Sequence, residues 1–125
     1  MAEEKIYLTG KDLTIDQVRK IAFSGTEVEI DPEAMKRLEA ARNLIFELDK
    51  RGIAVYGLNT GVGWNKDKVV YADRYDAYNK NLLRSHMIGV DPECTIPEVR
   101  ATMAIRLNGF LCGNTGVAKE MAEYY

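Results

Sequence analysis

The chain has 125 residues, about the length of one domain, and its 46% hydrophobic and 29% charged residues are ordinary for a globular protein. Its 17 basic and 19 acidic residues give a net charge of -2, which disfavours nucleic acid as a partner. Apolar runs stay far below the roughly 18 residues of a membrane helix and no hydrophobic signal core follows Met1, so we expect one cytoplasmic domain over residues 1–125, without a membrane partner.

Short strands and one short helix are predicted at the start of the chain. Residues 5–9 alternate in polarity and are rich in strand formers, which predicts a first strand. Thr14 and Gln17 match a capping box, so a short helix is expected from there to Gly25. Residues 26–30 alternate strictly and predict a second, half-buried strand.

The longest predicted helix begins at Asp31 and Pro32, a capping aspartate followed by a proline at the first helical position. Its apolar residues recur every three or four positions and form one stripe: Ala34, Leu38, Ala41, Ile45 and Leu48. Gly52 is expected to end this helix. Residues 53–55 are apolar and β-branched at both ends, and we expect them to add a third short strand.

Helices dominate the remainder of the prediction. One helix is indicated by residues at helical spacing: Tyr71, Tyr75, Tyr78 and Leu82. Residues 95–98 open another helix with a capping box, and its predicted apolar stripe is Val99, Met103, Leu107 and Phe110. A final helical piece begins at Val117. Together the elements predict an α+β fold, mainly α, in which a small N-terminal sheet is followed by helices.

A glycine-rich segment between the third predicted strand and the tyrosine helix is the first candidate site. Gly57, Gly61 and Gly63 indicate positive φ angles or a close approach of the backbone. A surface turn accounts for this pattern, whereas phosphate binding is disfavoured because its G-x-x-x-G-x-G order matches neither nucleotide motif. The phenol of Tyr56, at the edge of the loop, could transfer a proton.

His86 is the only histidine and lies beside Ser85 near the predicted end of a helix. A histidine there can serve simply as a partner for the helix dipole, or it can contact a ligand. Cys94 and Cys112 lack a second pair, and so we expect no metal site.

Three segments in order resemble the N-terminal part of the aromatic amino-acid ammonia-lyases, histidine ammonia-lyase above all. They are Tyr-Gly-Leu-Asn-Thr-Gly-Val-Gly at 56–63, Asn-Leu-Leu-Arg-Ser-His at 81–86 and Arg-Leu-Asn at 106–108. The resemblance implies a carbon–nitrogen lyase of histidine catabolism that eliminates ammonia from an amino acid and leaves an α,β-unsaturated acid. It also implies that the predicted helices lead into a long helical bundle that is absent from this chain, and that the enzyme is a homo-oligomer whose active sites combine several subunits.

The resemblance assigns roles to individual residues. Tyr56 would be the base that takes the β-proton, and Ser85 and His86 would bind the substrate side chain. The active-site loop would contain Gly57, Asn59, Thr60, Gly61 and Gly63. The family makes its methylidene-imidazolone ring from an Ala-Ser-Gly that does not occur in these 125 residues. We therefore expect this cofactor from a downstream segment, no other cofactor in this chain, and no lyase activity of the chain alone.

Several alternatives remain at this level. Val62, Met87, Ile88 and Asp91 depart from the family pattern, which leaves histidine, tyrosine, phenylalanine and a betaine open as substrates. The chain could instead be part of a ring-independent lyase that acts on a histidine betaine, or a non-catalytic assembly module. Because the last helical piece looks incomplete, we expect an N-terminal segment that self-associates or joins a missing C-terminal part.

Overall fold

A computed structural model describes residues 5–125, and it confirms the predicted mainly helical α+β fold. The strands and α-helices of this region are β1 (Lys5–Leu8), α1 (Ile15–Arg19), β2 (Glu27–Ile30), α2 (Pro32–Lys50), α3 (Tyr75–His86), α4 (Ile96–Leu111) and α5 (Lys119–Tyr124). A π-helical turn covers Lys20–Ser24, and 3-10 turns cover Gly63–Asn65 and Ala72–Arg74. Within the described region, no helix has the length and apolar character needed to cross a membrane.

The described residues form two compact units. The first contains residues 5–44 and 94–125, so it is built from both ends of the chain. The second is the continuous segment 45–93. The candidate residues that the sequence singles out around Tyr56 and His86 all belong to the second unit.

A two-stranded parallel sheet organises the first unit. The register pairs Lys5 with Glu27 and Leu8 with Ile30. In β1 the side chains alternate between exposed and buried, and Leu8 is among the core residues. The chain crosses between the strands through α1, which the Thr14 capping box opens as predicted, and through the π-helical turn.

The predicted third strand at residues 53–55 does not form. The N–H of Ile53 donates to the carbonyl of Leu48 at 3.0 Å, which closes the C-terminus of α2. The N–H of Val55 donates to the side chain of Asn59 at 2.7 Å, and the Val55 carbonyl accepts from Leu58 and Asn59. These local bonds use the backbone groups that a sheet would need.

The hydrophobic core of the first unit combines the sheet with α2, α4 and α5. Its buried members are Ile6, Leu8, Ile21, Ala34, Leu38, Ala104, Leu107, Phe110, Leu111 and Ala122. The predicted stripe on α4 is only partly correct, because Val99 is exposed while Ala104 and Leu111 are buried. Leu107 and Phe110 are thus covered within this chain, and their burial needs no second copy.

The two ends of the chain are joined by polar contacts as well as by this core. The N–H of Gly10 donates to Oδ1 of Asn108 at 2.9 Å. Arg37 Nη2 donates to the carbonyls of Thr9 and Leu111. Gly10 has a φ of 77°, and a Cβ there would lie 2.5 Å from the backbone of Leu111. Only glycine fits this conformation and this close approach without strain.

Candidate active site

The glycine-rich loop is closed at its base by the side chain of Asn59. Oδ1 of Asn59 accepts from the Val55 N–H at 2.7 Å, while Nδ2 donates to the Ile53 carbonyl at 2.9 Å and to Asp49 Oδ1 at 2.8 Å. The amide therefore fixes the residue immediately before Tyr56. Asn59 is a structural closure of the loop, since both of its polar atoms are occupied by the protein.

Asp49 and Tyr75 extend this closure to the two neighbouring helices. Asp49 lies in the last turn of α2, and its Oδ1 also accepts from the Tyr75 hydroxyl at 2.8 Å. Tyr75 begins α3. Burial raises the pKa of the Tyr75 phenol, and the hydrogen bond to Asp49 and its negative charge raise it further. The phenol is thereby held in its neutral, donating form.

The far side of the loop packs against the segment that follows it. Thr60 is buried and forms an antiparallel bridge with Val69. The N–H of Gly61 donates to the Lys68 carbonyl at 2.9 Å. A Cβ on Gly61 would lie 2.4 Å from the backbone oxygen of Asn65, so this position requires glycine because of close approach.

Tyr56 projects from this closed loop. Its hydroxyl oxygen accepts a hydrogen bond from the N–H of Gly63 at 3.0 Å, and 66% of the residue is exposed. Gly57 and Gly63 have φ angles of 75° and 55°, in the left-handed region that the sequence led us to expect. The loop thus positions one phenol oxygen and leaves its surroundings open to a ligand.

Ser85 and His86 form the last residues of α3. His86 Nδ1 lies 2.7 Å from the Leu82 carbonyl and 3.1 Å from Ser85 Oγ. Because a carbonyl oxygen only accepts, Nδ1 carries the proton in this contact, and the neutral tautomer with this proton has its lone pair at Nε2. Both residues are exposed. The contact with Leu82 thus orients the imidazole ring through Nδ1.

The structure places all the predicted site residues in one unit. In residues 5–125, no hydrogen bond joins Tyr56 to Ser85 or His86. The same described range contains no cluster of three or more His, Cys, Asp or Glu side chains that could hold a metal ion.

Sequence reasoning missed Asp49 and the hydroxyl contact of Tyr75. One signal for Asp49 was available: an acidic residue in the last turn of a helix is unfavourable to the helix dipole, and it needs a compensating partner. Nothing in the spacing of Tyr75 distinguishes it from a packing tyrosine. Together with Asn59 and Thr60, both residues line a cavity of the second unit.

A model of the family described as "Aromatic amino acid lyase" matches residues 13–125. A histidine ammonia-lyase of Chloroflexus aurantiacus is 38% identical over 126 aligned residues, which cover 98% of this chain and 24% of the relative. A histidine ammonia-lyase of Treponema denticola is 32% identical, with 98% and 24% covered. The chain spans about a quarter of the length of these curated relatives.

Solved structures give the same assignment. An ergothionase from Treponema denticola, an ergothioneine-degrading enzyme, superposes with a TM-score of 0.93 at 42% identity, covering 98% of this chain and 24% of that one. The tyrosine aminomutase of Streptomyces globisporus superposes with a TM-score of 0.89 at 28% identity, covering 96% and 23%. The match of the family model to nearly the whole chain, together with this structural similarity, shows that the chain belongs to the aromatic amino acid lyase family.

Proposed function

We propose that this chain is the N-terminal portion of a lyase that eliminates ammonia from histidine or another aromatic amino acid, with Tyr56 as the base. The observation that carries the proposal is the Tyr56 phenol oxygen, which is fixed by the Gly63 N–H at 3.0 Å while the residue stays 66% exposed. A base must be held in place and must also be accessible to the substrate. Tyr56 combines these two properties.

In the proposed reaction Tyr56 acts as the phenolate, and its oxygen takes the β-proton of the amino acid and becomes the neutral phenol. The electron pair of the broken C–H bond forms the double bond between Cα and Cβ, and the C–N bond breaks so that the nitrogen leaves with its electron pair as ammonia. The chain has no Ala-Ser-Gly to form the methylidene-imidazolone ring. Its own contribution is the base and the contacts to the substrate side chain.

Ser85 and His86 are the proposed contacts for that side chain. With Nδ1 bonded to the Leu82 carbonyl, Nε2 can accept a hydrogen bond from the N–H of an imidazole or from a phenol. A site built around such an acceptor discriminates against an apolar side chain, because the acceptor would then be buried without a partner.

A second candidate is elimination of trimethylamine from a histidine betaine. It is favoured by the 42% identity to the ergothionase, whose structure holds desmethyl-ergothioneine sulfonic acid. The proton transfer to Tyr56 would be the same, and only the leaving group differs. The nitrogen product therefore separates the two candidates: ammonia from histidine, or trimethylamine from the betaine.

We also propose a cytoplasmic homo-oligomer. The support is the segment after α3, where Met87, Ile88 and Val90 are 78%, 83% and 85% exposed. Large apolar side chains that are contiguous and exposed usually mark an association surface.

The test uses the enzyme expressed from the full reading frame. Removing a general base costs about 10²- to 10⁴-fold, so Tyr56→Phe should lower kcat by that factor with little change in KM. His86→Leu should mainly raise KM for polar side chains. Tyr124→Phe is the matched control, since this tyrosine is 87% exposed and belongs to the other unit. Normal turnover of Tyr56→Phe would refute the proposed base, and a full-length protein that makes no unsaturated acid from any of these substrates would support the non-catalytic alternative.

A further inference from the structure

We infer that Asp49 and Tyr75 are positioning residues, which hold the Tyr56 loop in its reactive geometry from the ends of two helices. This inference rests on the proposed function of Tyr56. Neither residue contacts the phenol, and neither lies in the glycine-rich segment.

A rigid link joins the Asn59 side chain to the backbone next to Tyr56. The Asn59 side chain bonds the N–H of Val55, the residue that precedes Tyr56, at 2.7 Å, and it bonds the Ile53 carbonyl at 2.9 Å. The carbonyl of Val55 also accepts from the N–H groups of Leu58 and Asn59. A rotation of the Asn59 amide would therefore move the backbone of Tyr56.

Asp49 holds the Asn59 amide in its orientation. One oxygen of Asp49 accepts from both Asn59 Nδ2 and the Tyr75 hydroxyl, each at 2.8 Å. Asp49 and Tyr75 are half-buried, so a lost bond leaves a polar atom partly shielded from water without a partner. The Tyr75 hydroxyl is one of the two groups that hold this oxygen in place, so its removal leaves the carboxylate freer to turn away from Asn59.

This closure also affects the phenol oxygen of Tyr56. Tyr56 is fixed at its backbone by the Asn59 closure and at its hydroxyl by the Gly63 N–H. A shift of the backbone by a fraction of an ångström lengthens the hydroxyl contact or moves the oxygen away from the substrate. Proton transfer depends steeply on this placement, whereas the substrate side-chain contacts proposed for Ser85 and His86 are made elsewhere on the unit.

The primary experiment compares Tyr75→Phe with Tyr78→Phe in the full-length enzyme. Both variants remove one hydroxyl from α3, but the Tyr78 hydroxyl makes no hydrogen bond within residues 5–125. Tyr75→Phe should lower kcat about tenfold to 100-fold, the range that a misplaced reacting group produces, with KM changed less than about twofold. Tyr78→Phe should keep the wild-type kcat.

Two variants of Asp49 separate the effect of its hydrogen-bond acceptor from the effect of its negative charge. Asp49→Asn keeps an oxygen that can accept from Asn59 and Tyr75, so it should retain most of kcat. Asp49→Ala removes the acceptor and should lose at least as much kcat as Tyr75→Phe. Equal losses in the two variants would overturn the inference, because the charge of Asp49 rather than its acceptor geometry would then be responsible.

A double-variant cycle distinguishes failure of this inference from failure of the proposed function. If Tyr75 acts through Tyr56, adding Tyr75→Phe to Tyr56→Phe should lower the residual kcat no further. A large loss in Tyr56→Phe with equal kcat in Tyr75→Phe and Tyr78→Phe would refute the positioning role and leave the base in place. Wild-type turnover of Tyr56→Phe would overturn both.

Discussion

Replacing Gly61 by alanine should disable the loop through a collision that the structure locates. The new Cβ would lie 2.4 Å from the backbone oxygen of Asn65, whereas ordinary contacts begin at 3.4 Å, so restoring an ordinary contact requires a shift of about 1 Å. Asn65 ends the 3-10 turn that begins at Gly63. This turn carries the N–H that holds Tyr56, and its displacement moves the phenol oxygen away from its reactive position.

A misplacement of about 1 Å costs roughly 10²-fold in rate, which corresponds to about 2.7 kcal/mol of activation free energy. Gly61→Ala should therefore reduce kcat about 100-fold, and overpacking should lower the free energy of unfolding by about 1–3 kcal/mol. Steady-state kinetics at 25 °C and urea unfolding measure the two effects. Gly89→Ala is the control, because its Cβ would meet nothing within 4 Å. Wild-type kcat in Gly61→Ala would refute this account of the loop.

Two further predictions concern the first unit. Gly10 and Gly25 both have positive φ, but of these two only Gly10 would carry a Cβ against the Leu111 backbone. Gly25→Ala should lower the free energy of unfolding by about 1–2 kcal/mol, and Gly10→Ala should lower it by about 1–3 kcal/mol more. Equal urea midpoints for the two variants would contradict the steric argument. Hydrogen bonds from the backbone N–H of Thr95 and, to a lesser extent, from the Thr95 hydroxyl lower the pKa of the Glu98 carboxyl below its usual 4.5. The stabilisation by ionised Glu98 is therefore complete above pH 4.5 and is lost as the pH falls through the lower folded pKa. The difference in Tm between wild type and Glu98→Gln should shrink over this pH range. A constant difference in Tm would show that the charge has no role.

The features that could be predicted from the sequence depend on residues four or fewer positions apart. The capping boxes at Thr14 and Thr95 join residues separated by three positions. The start of α2 is equally local, since Asp31 Oδ1 accepts from the N–H of Ala34 at 2.9 Å. Each of these contacts is available as soon as the local backbone becomes helical.

The errors occur where other contacts override the structural preference of the residue types. Residues 53–55 have strand-forming side chains, but the end of α2 and the side chain of Asn59 take their backbone hydrogen bonds. On α4, packing against the π-helical turn, α1, β1 and α5 selects a face that includes Ala104 and Leu111 and leaves Val99 exposed. Amphipathic spacing shows that a helix has an apolar face, but it gives the limits of that face only approximately.

In the candidate site too, some features could be predicted from the sequence and others could not. Tyr56 and its glycines could be identified because their residue types and order are distinctive. The partners of Asp49 could not, since its contacts reach 10 residues to Asn59 and 26 residues to Tyr75. Such pairings follow from how the chain folds back on itself, and no periodic pattern encodes them.

The first unit is built from two separate segments of the chain, and this arrangement has a consequence for the order of folding. Residues 45–93 are continuous and can reach their mutual contacts as soon as they leave the ribosome, whereas residues 5–44 must wait for α4. Contacts such as Gly10 with Asn108 span 98 positions, so their formation closes a long loop at an entropic cost before any core is gained. During synthesis, we therefore expect the unit that carries Tyr56 to acquire structure first, with Ile6, Leu8 and Leu38 exposed until residues 94–125 arrive.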